Sequence, residues 1–173
     1  MNKGFQFKPF SAKQRKLLYW WADGSQYSDK DIIIIDGAIR SGKTIACICS
    51  FLLWSQKRFS GENFIIAGKT INSLKKNVIS PMISILMAWG WPHRYNRSEN
   101  YIEIGTNTYY MYDANTQASQ DKLQGLTAAG AYADEAALFP QNFIDQMIGR
   151  CSVDDSKIFM NCNPESPGHF LKT

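Results

Sequence analysis

Eight consecutive residues carry the clearest chemical signal in this chain: Gly37-Ala-Ile-Arg-Ser-Gly-Lys-Thr44, set directly behind the aliphatic run Ile32-Ile-Ile-Ile35-Asp36. The spacing is GxxxxGK[ST], a loop that curls its backbone N–H groups around a polyphosphate. Gly37 and Gly42 allow the curl, and Ala38, Ile39, Arg40 and Ser41 lend it their amides. The helix that starts near Lys43 adds its positive dipole end. Lys43 is placed to reach the β- and γ-phosphates, and the Thr44 hydroxyl to ligate Mg²⁺. A glycine-rich turn that merely joined strand to helix would give no reason for the Lys-Thr pair.

A second constellation lies downstream at Gly130-Ala-Tyr-Ala133-Asp134-Glu135. An apolar strand that ends in two carboxylates suits Asp134 to hold Mg²⁺ through water and Glu135 to polarise an attacking water. Both would project into the crevice at the carboxyl ends of an open α/β sheet. Glycine, alanine and tyrosine stand where Val, Ile or Leu is usual, and small residues are expected of a strand crowded against the phosphate loop. The competing reading is a helix that opens on Asp-Glu-Ala-Ala with favourable first-turn acids. A base-reading Asn-Lys-x-Asp segment is missing, which argues against a GTPase. The interval 94–135 holds only Arg94 and Arg97, too few for the arginine-rich lid of a small-molecule kinase.

These residues need a scaffold, and the composition allows one domain with a substantial core. The 173 residues are 45% hydrophobic and 20% charged, with a net charge of +4. The sequence pI near 8.8 permits an anionic partner without demanding one. No apolar run reaches transmembrane length, and no signal-peptide segment opens the chain, so a cytosolic setting is expected. Cysteines 47, 49, 151 and 162 form no CxxC pair, and His93 and His169 lie far apart. Cys47 and Cys49 read as core filler rather than metal ligands.

The pattern predicts a helix over Ser11–Ala22 with Ser11 as N-cap, and Ile32–Asp36 as a central parallel strand buried on both faces. A deep helix over Thr44–Trp54 follows, closed by Lys57 and Arg58, then a short strand at Asn63–Ala67. Thr70–Trp89 reads as a helix that Pro81 kinks or splits. Lys75 and Lys76 upon it read as a solvated face in preference to a polyanion contact. A β-hairpin is expected from Tyr101–Ile104 and Thr108–Tyr112, then a polar segment and a strand at Ala128–Ala133. A helix over Phe143–Arg150 and a strand over Lys157–Cys162 complete an alternating α/β order.

In this order the residues resemble the N-terminal ATPase domain of the large subunit of tailed-phage terminases. The loop carries the arginine that this family places inside the motif. Lys122-Leu-Gln-Gly-Leu-Thr-Ala-Ala-Gly-Ala-Tyr-Ala-Asp-Glu-Ala136 resembles its Gly-containing lead-in to Asp-Glu-Ala. Arg150 followed by Asn161-Cys-Asn-Pro-Glu-Ser-Pro-Gly-His-Phe170 resembles its Asn-Pro-x-x-Pro-x-His-aromatic block, the most family-specific match. Phe10-Ser-Ala-Lys-Gln14 resembles its adenine-reading glutamine motif.

The resemblance implies a RecA-like P-loop fold with a catalytic glutamate: a mostly parallel sheet flanked by helices, with a β-hairpin inserted near 100–113. The chain reads as one ATPase domain over 1–173, with an adenine-side segment at 1–30 and a core at 31–173, and the C-terminal nuclease domain that this family carries is not expected in it. The implied cofactors are ATP and Mg²⁺. Gln14 would bond the adenine edge, Lys43 the β/γ-phosphates, and Thr44 with Asp134 the metal. Glu135 would activate water, and Asn161 to Asn163 would sense the γ-phosphate. The family's loop arginine often sits one place earlier, where this chain has Ile39, so Arg40 is the in-cis candidate. Arg150, Arg94 and Arg97 are candidates to serve a neighbouring subunit, each against the simpler reading of a surface charge.

The implied partners are double-stranded DNA gripped without regard to sequence, the portal protein, the small terminase subunit and further copies of this chain in a ring. The implied setting is the host cytoplasm at the procapsid portal. Two other readings stay open: a helicase-like motor, which would need a second RecA-like domain, and a catalytically silent nucleotide-gated assembly module.

Overall fold

The computed structural model describes residues 8–36 and 42–162. Helix α1 (Ala12–Leu18) opens on a capping box with Ser11 as N-cap: the Gln14 N–H donates to Ser11 Oγ at 3.2 Å, and the Ser11 N–H donates to Gln14 Oε1 at 2.8 Å. It is shorter than Ser11–Ala22. The Trp21 indole N–H donates to the Leu18 carbonyl at 2.9 Å, and the chain turns through Ala22 and Ser25 instead of continuing.

Strand β1 (Ile32–Asp36) leads to helix α2 (Lys43–Arg58) and strand β2 (Asn63–Gly68). Next come α3 (Ile71–Leu74), a π-helical turn (Lys75–Ile79) and α4 (Ser80–Trp89). Strands β3 (His93–Asn96), β4 (Tyr101–Ile104) and β5 (Asn107–Asp113) precede α5 (Gln117–Gln124) and β6 (Gly130–Asp134). A 3₁₀ turn (Ala136–Leu138), α6 (Gln141–Arg150) and β7 (Lys157–Cys162) follow.

The strands form one seven-stranded sheet in the order β1-β7-β6-β2-β5-β4-β3. The first five run parallel, and β4 pairs antiparallel with β5 on one side and β3 on the other. Non-sequential neighbours joined by helices are what parallel pairing demands. This is the mostly parallel, helix-flanked RecA-like sheet implied above. The hairpin at 101–113 is part of that sheet, because β5 pairs with β2 along the whole length of β2. Strand β3 and helix α5 extend the predicted set.

One expectation is corrected. Strand β1 is an edge strand among the described residues, and Ile32 and Ile34 remain 39% and 44% exposed. A continuous β-branched run carries no period that separates a central strand from an edge one. Ile33 and Ile35, by contrast, pack onto the core.

Helix α2 is as deep as predicted. Phe51 and Trp54 meet Phe159 with ring centroids 5.3 and 5.4 Å apart, and Phe64 stacks on Tyr109 at 4.9 Å. Burying each such side chain contributes about 1.5–3 kcal/mol. These contacts fix α2 across one face of the sheet. On the other face, Ala131 and Ala133 pack with Phe143 and Met147 of α6. Cys47 and Cys49 are fully buried free thiols, in keeping with their reading as core. No helix among the described residues is long and apolar enough to cross a membrane.

Pro81 divides the 71–89 helix as predicted, and the division takes the form of a π-turn. The Ser80 N–H donates to the Lys75 carbonyl, five residues back. Proline has no N–H to continue the ladder and would press on the carbonyl four residues earlier, so the wider turn accommodates it.

Candidate nucleotide site

Parallel pairing brings the carboxyl ends of β1, β6 and β7 to one edge of the sheet. Cys162 pairs with Asp36 on one side of β7, and Asn161 pairs with Asp134 on the other. Gly42 delivers α2 to the same edge. It adopts a left-handed conformation at φ 73° and serves as the N-cap of α2. A side chain there would be strained, and its Cβ would fall 2.5 Å from Gln14 Nε2. The capping-box glutamine of α1 thereby rests on the start of α2.

The two sequence constellations meet at this edge. The Lys43 ammonium donates to the Cys162 carbonyl at 2.6 Å. The Asn161 side-chain amide donates to Thr44 Oγ1 at 3.2 Å and to Asp134 Oδ1 at 3.3 Å. Thr44 and Asp134 therefore converge on a single NH₂ group. A hydroxyl and a carboxylate that converge in this way are hard oxygen donors suited to Mg²⁺, which keeps waters and takes its remaining ligands from substrate phosphates. Among the described residues no three His, Cys, Asp or Glu side chains cluster closely enough to hold an ion alone.

The electrostatics fit a site built for an anion and its counter-cation. Burial pulls the Lys43 ammonium below its ordinary pKa, and Asp36 is the foremost group opposing that pull. Burial, then the neighbouring Glu135 charge, raises the Asp134 carboxyl to about 6, while Asn161 and Lys43 work the other way. A cation between Thr44 and Asp134 would relieve that cost. Glu135 stands at the N-cap position of the 3₁₀ turn, but its side chain makes no capping bond, and its backbone sits at φ 55°, ψ 44°. Left-handed backbone is uncommon outside glycine and gathers at functional sites. The competing reading of these acids as favourable first-turn residues is not what the fold uses.

Two cavities open here. The larger, about 630 Å³, runs from Lys43 and Asp36 along β1 to Gln14, Lys16 and Trp20 of the α1 segment. The smaller, about 380 Å³, is lined by Lys43, Thr44, Asp134, Glu135 and Asn161. Lys76 and Asn77 of the π-turn and Pro81 of α4 line it as well. Sequence reading placed Lys76 on a solvated face. It is exposed, in keeping with that reading, and it also lines this cleft; the signal for the second role is Pro81, five residues downstream.

Sequence reading also left Tyr132 out of this site. It lies two residues before Asp134 on the same face of β6, fully buried, with a hydroxyl that has no well-aligned hydrogen bond. Burial and the nearby Cys47 and Asp134 push its pKa well above the ordinary value. The packing around β6 also explains its small residues. A Cβ on Gly130 would meet Trp54 of α2 at 2.5 Å and the Lys157 carbonyl at 2.8 Å. At Gly130 the crowding partners are α2 and the neighbouring strand β7.

Three arginine candidates lie elsewhere. Arg94 sits on β3 opposite Glu103, at the far edge of the sheet. Arg97 stacks over Tyr95 at 5.1 Å. Arg150 ends α6 beside the starts of the parallel strands, where its carbonyl accepts from Ala128. Gly37, Ala38, Ile39, Arg40, Ser41 and Asn163 fall outside the described residues.

The family model for "Terminase large subunit, T4likevirus-type, N-terminal" matches residues 34–173. The chain belongs to the terminase large subunit family. Among solved structures, the large terminase of a thermophilic bacteriophage is 45% identical, with a TM-score of 0.88, and the match covers 91% of this chain and 40% of that one. A structure of the large terminase from the same thermophilic bacteriophage in complex with ATP-gamma-S is 43% identical with a TM-score of 0.82, covering 90% of this chain and 38% of that one. The HK97 bacteriophage large terminase, 13% identical with a TM-score of 0.70, covers 92% of this chain and 34% of that one and supports the fold alone. No curated protein matches the chain. This terminase chain thus spans about two-fifths of the thermophilic phage enzyme.

Proposed function

We propose that this terminase chain binds Mg·ATP at the edge of β1, β6 and β7 and hydrolyses it to drive double-stranded DNA into a procapsid. The observation that carries the reading is the convergence of Thr44 and Asp134 on the Asn161 amide beside the Lys43 ammonium. Relatives of high identity solved with ADP and with ATP-gamma-S support it.

Lys43 contacts the β- and γ-phosphates, and Thr44 with Asp134 holds the metal. Gln14, which lines the larger cavity, reads the base, and residues 37–41 supply backbone amides to the phosphates. When bound, Mg²⁺ neutralises charge on the phosphate oxygens. Glu135 orients a water and accepts its proton as the water oxygen bonds to the γ-phosphorus. The bond from that phosphorus to the bridging oxygen breaks, and ADP leaves with the electron pair. Little covalent chemistry falls to the protein, so positioning and charge carry the rate.

Asn161 provides the coupling. Its amide is occupied by Thr44 and Asp134 here, and engaging those oxygens elsewhere frees it to bond phosphate or attacking water. A side chain with two alternative partner sets is a local two-state element. Its partners change on hydrolysis, and β7 carries that change into the segment from Asn163 onward. DNA is contacted through its phosphates, which makes binding independent of sequence and sensitive to salt. The portal protein, the small terminase subunit and other copies of the chain in a ring complete the machine.

A single-turnover assay with labelled ATP, with and without double-stranded DNA, tests the reading. Lys43→Ala is expected to lose nucleotide binding, and Glu135→Gln to bind without turning over. Hydrolysis by Glu135→Gln at the parent rate would remove the assigned base. Binding without any hydrolysis by the parent, with DNA and portal present, would favour a silent assembly module.

A further inference from the structure

We propose that Lys76, carried on the π-turn, is a catalytic residue that supplies a second positive side chain to the γ-phosphate from within the same chain. The inference rests on the ATPase reading of the cleft. Lys76 lines the same 380 Å³ cleft as Lys43, Thr44, Asp134 and Glu135. It is uncommitted: the ion pairs among the described residues are Lys30–Asp29 and Arg58–Asp23. Neither Asp134 nor Glu135 belongs to those pairs, so among the described residues no carboxylate is paired with Lys76.

The backbone explains how a helix residue comes to face the cleft. Leu74, Val78, Ile79 and Met82 are all buried and anchor the helical run to the core. The π-turn inserts an extra residue between those anchors, which swings Lys76 and Asn77 out of the regular helical track and onto the cleft wall. Pro81, itself part of that wall, makes the wide turn necessary. Single π-turns inside α-helices concentrate at functional sites.

Charge gives the residue work to do. Triphosphate arrives beside two carboxylates, Asp134 and Glu135, with Lys43 as the other described cation lining the cleft. Negative charge moves onto the phosphoryl oxygens and the bridging oxygen as the γ-phosphate leaves. A second ammonium there stabilises the transition state more than the ground state, which raises turnover rather than affinity. Arg94, Arg97 and Arg150 are placed away from this cleft. Lys76 takes no proton and forms no bond in this role.

The test compares the full chain with Lys76→Ala and Lys76→Arg by thermal melting, by binding of Mg·ADP, and by binding of Mg·ADP with fluoroaluminate, which mimics the transferring phosphoryl group. Where the chain turns over, the rate is measured as well. Lys76→Ala is expected to melt with the parent and to keep Mg·ADP affinity within about threefold. It should lose at least about tenfold in fluoroaluminate-complex affinity and on the order of ten- to a hundredfold in kcat. Lys76→Arg should recover most of both losses. Equal binding of both complexes by Lys76→Ala and parent, or equal weakening of both, overturns the assignment while leaving the nucleotide site intact. An effect confined to assembled rings overturns its action within one chain. Failure of the parent to bind Mg·ADP would sink the ATPase reading itself, and Lys76 with it.

Discussion

Asn161 on β7 stands directly across the parallel ladder from Asp134 on β6, and its amide donates to that carboxylate at 3.3 Å. The same amide donates to Thr44 on α2 at 3.2 Å. One side chain thus ties the strand carrying the acid pair to the helix carrying the phosphate loop's threonine.

Removing that tie should separate binding from turnover. Asn161→Ala is expected to lower kcat on the order of a hundredfold while Mg·ADP affinity stays within a few-fold. Single-turnover hydrolysis beside equilibrium titration decides it. Parallel losses in both quantities would make Asn161 a plain scaffold residue.

Asp134 makes stability depend on pH. Its carboxyl is held at about 6 in the fold, mainly by burial, against about 4 in an unfolded chain. Between those values the folded state binds a proton that the unfolded state has released, so stability falls as pH rises through that window. The full effect above pH 6 is on the order of 3 kcal/mol. Asp134→Asn should therefore melt several degrees above the parent at pH 8 without Mg²⁺, with a gap that narrows clearly by pH 5. An identical gap at both pH values would show that the buried charge costs nothing.

Tyr132 carries a fully buried hydroxyl that meets the Cys47 thiol and the Asn161 amide without a well-aligned hydrogen bond to either. Such a group costs about 1–3 kcal/mol. Tyr132→Phe keeps the ring and should raise stability by about 1 kcal/mol in urea unfolding with m unchanged. Destabilisation would mean that the hydroxyl is satisfied in solution.

Gly130 is fixed by the close approach of α2. A methyl group there meets Trp54 at 2.5 Å and a backbone carbonyl at 2.8 Å, so Gly130→Ala should cost about 1–3 kcal/mol. A double-mutant cycle with Trp54→Leu should show non-additivity of about 1 kcal/mol. Additive behaviour would place the strain elsewhere.

What the sequence made legible was local. The Lys43-Thr44 pair and Asp134-Glu135 sit at the start of a helix and the end of a strand, where short motifs mark them, whereas Asn161 is marked only by the family resemblance. Their meeting follows from the parallel order of β1, β7 and β6. The edge position of β1 was illegible because Ile32–Ile35 has no alternation, and pairing partners come from distant sequence. Helix α5 escaped because Gln120 and Leu123 are its buried residues, too few for an apolar stripe. Strand β3 was hidden by its short, mixed composition. Lys76 and Tyr132 entered the site only through geometry: a widened turn for one, a shared strand face for the other.

Glu135 holds its backbone at φ 55°, where glycine would rest more easily. Glu135→Gly would therefore suit the turn better than the residue present, while discarding the carboxylate assigned to the water. A collection of variants sorted by heat resistance alone should gather that change early and leave behind well-folded chains that no longer fire.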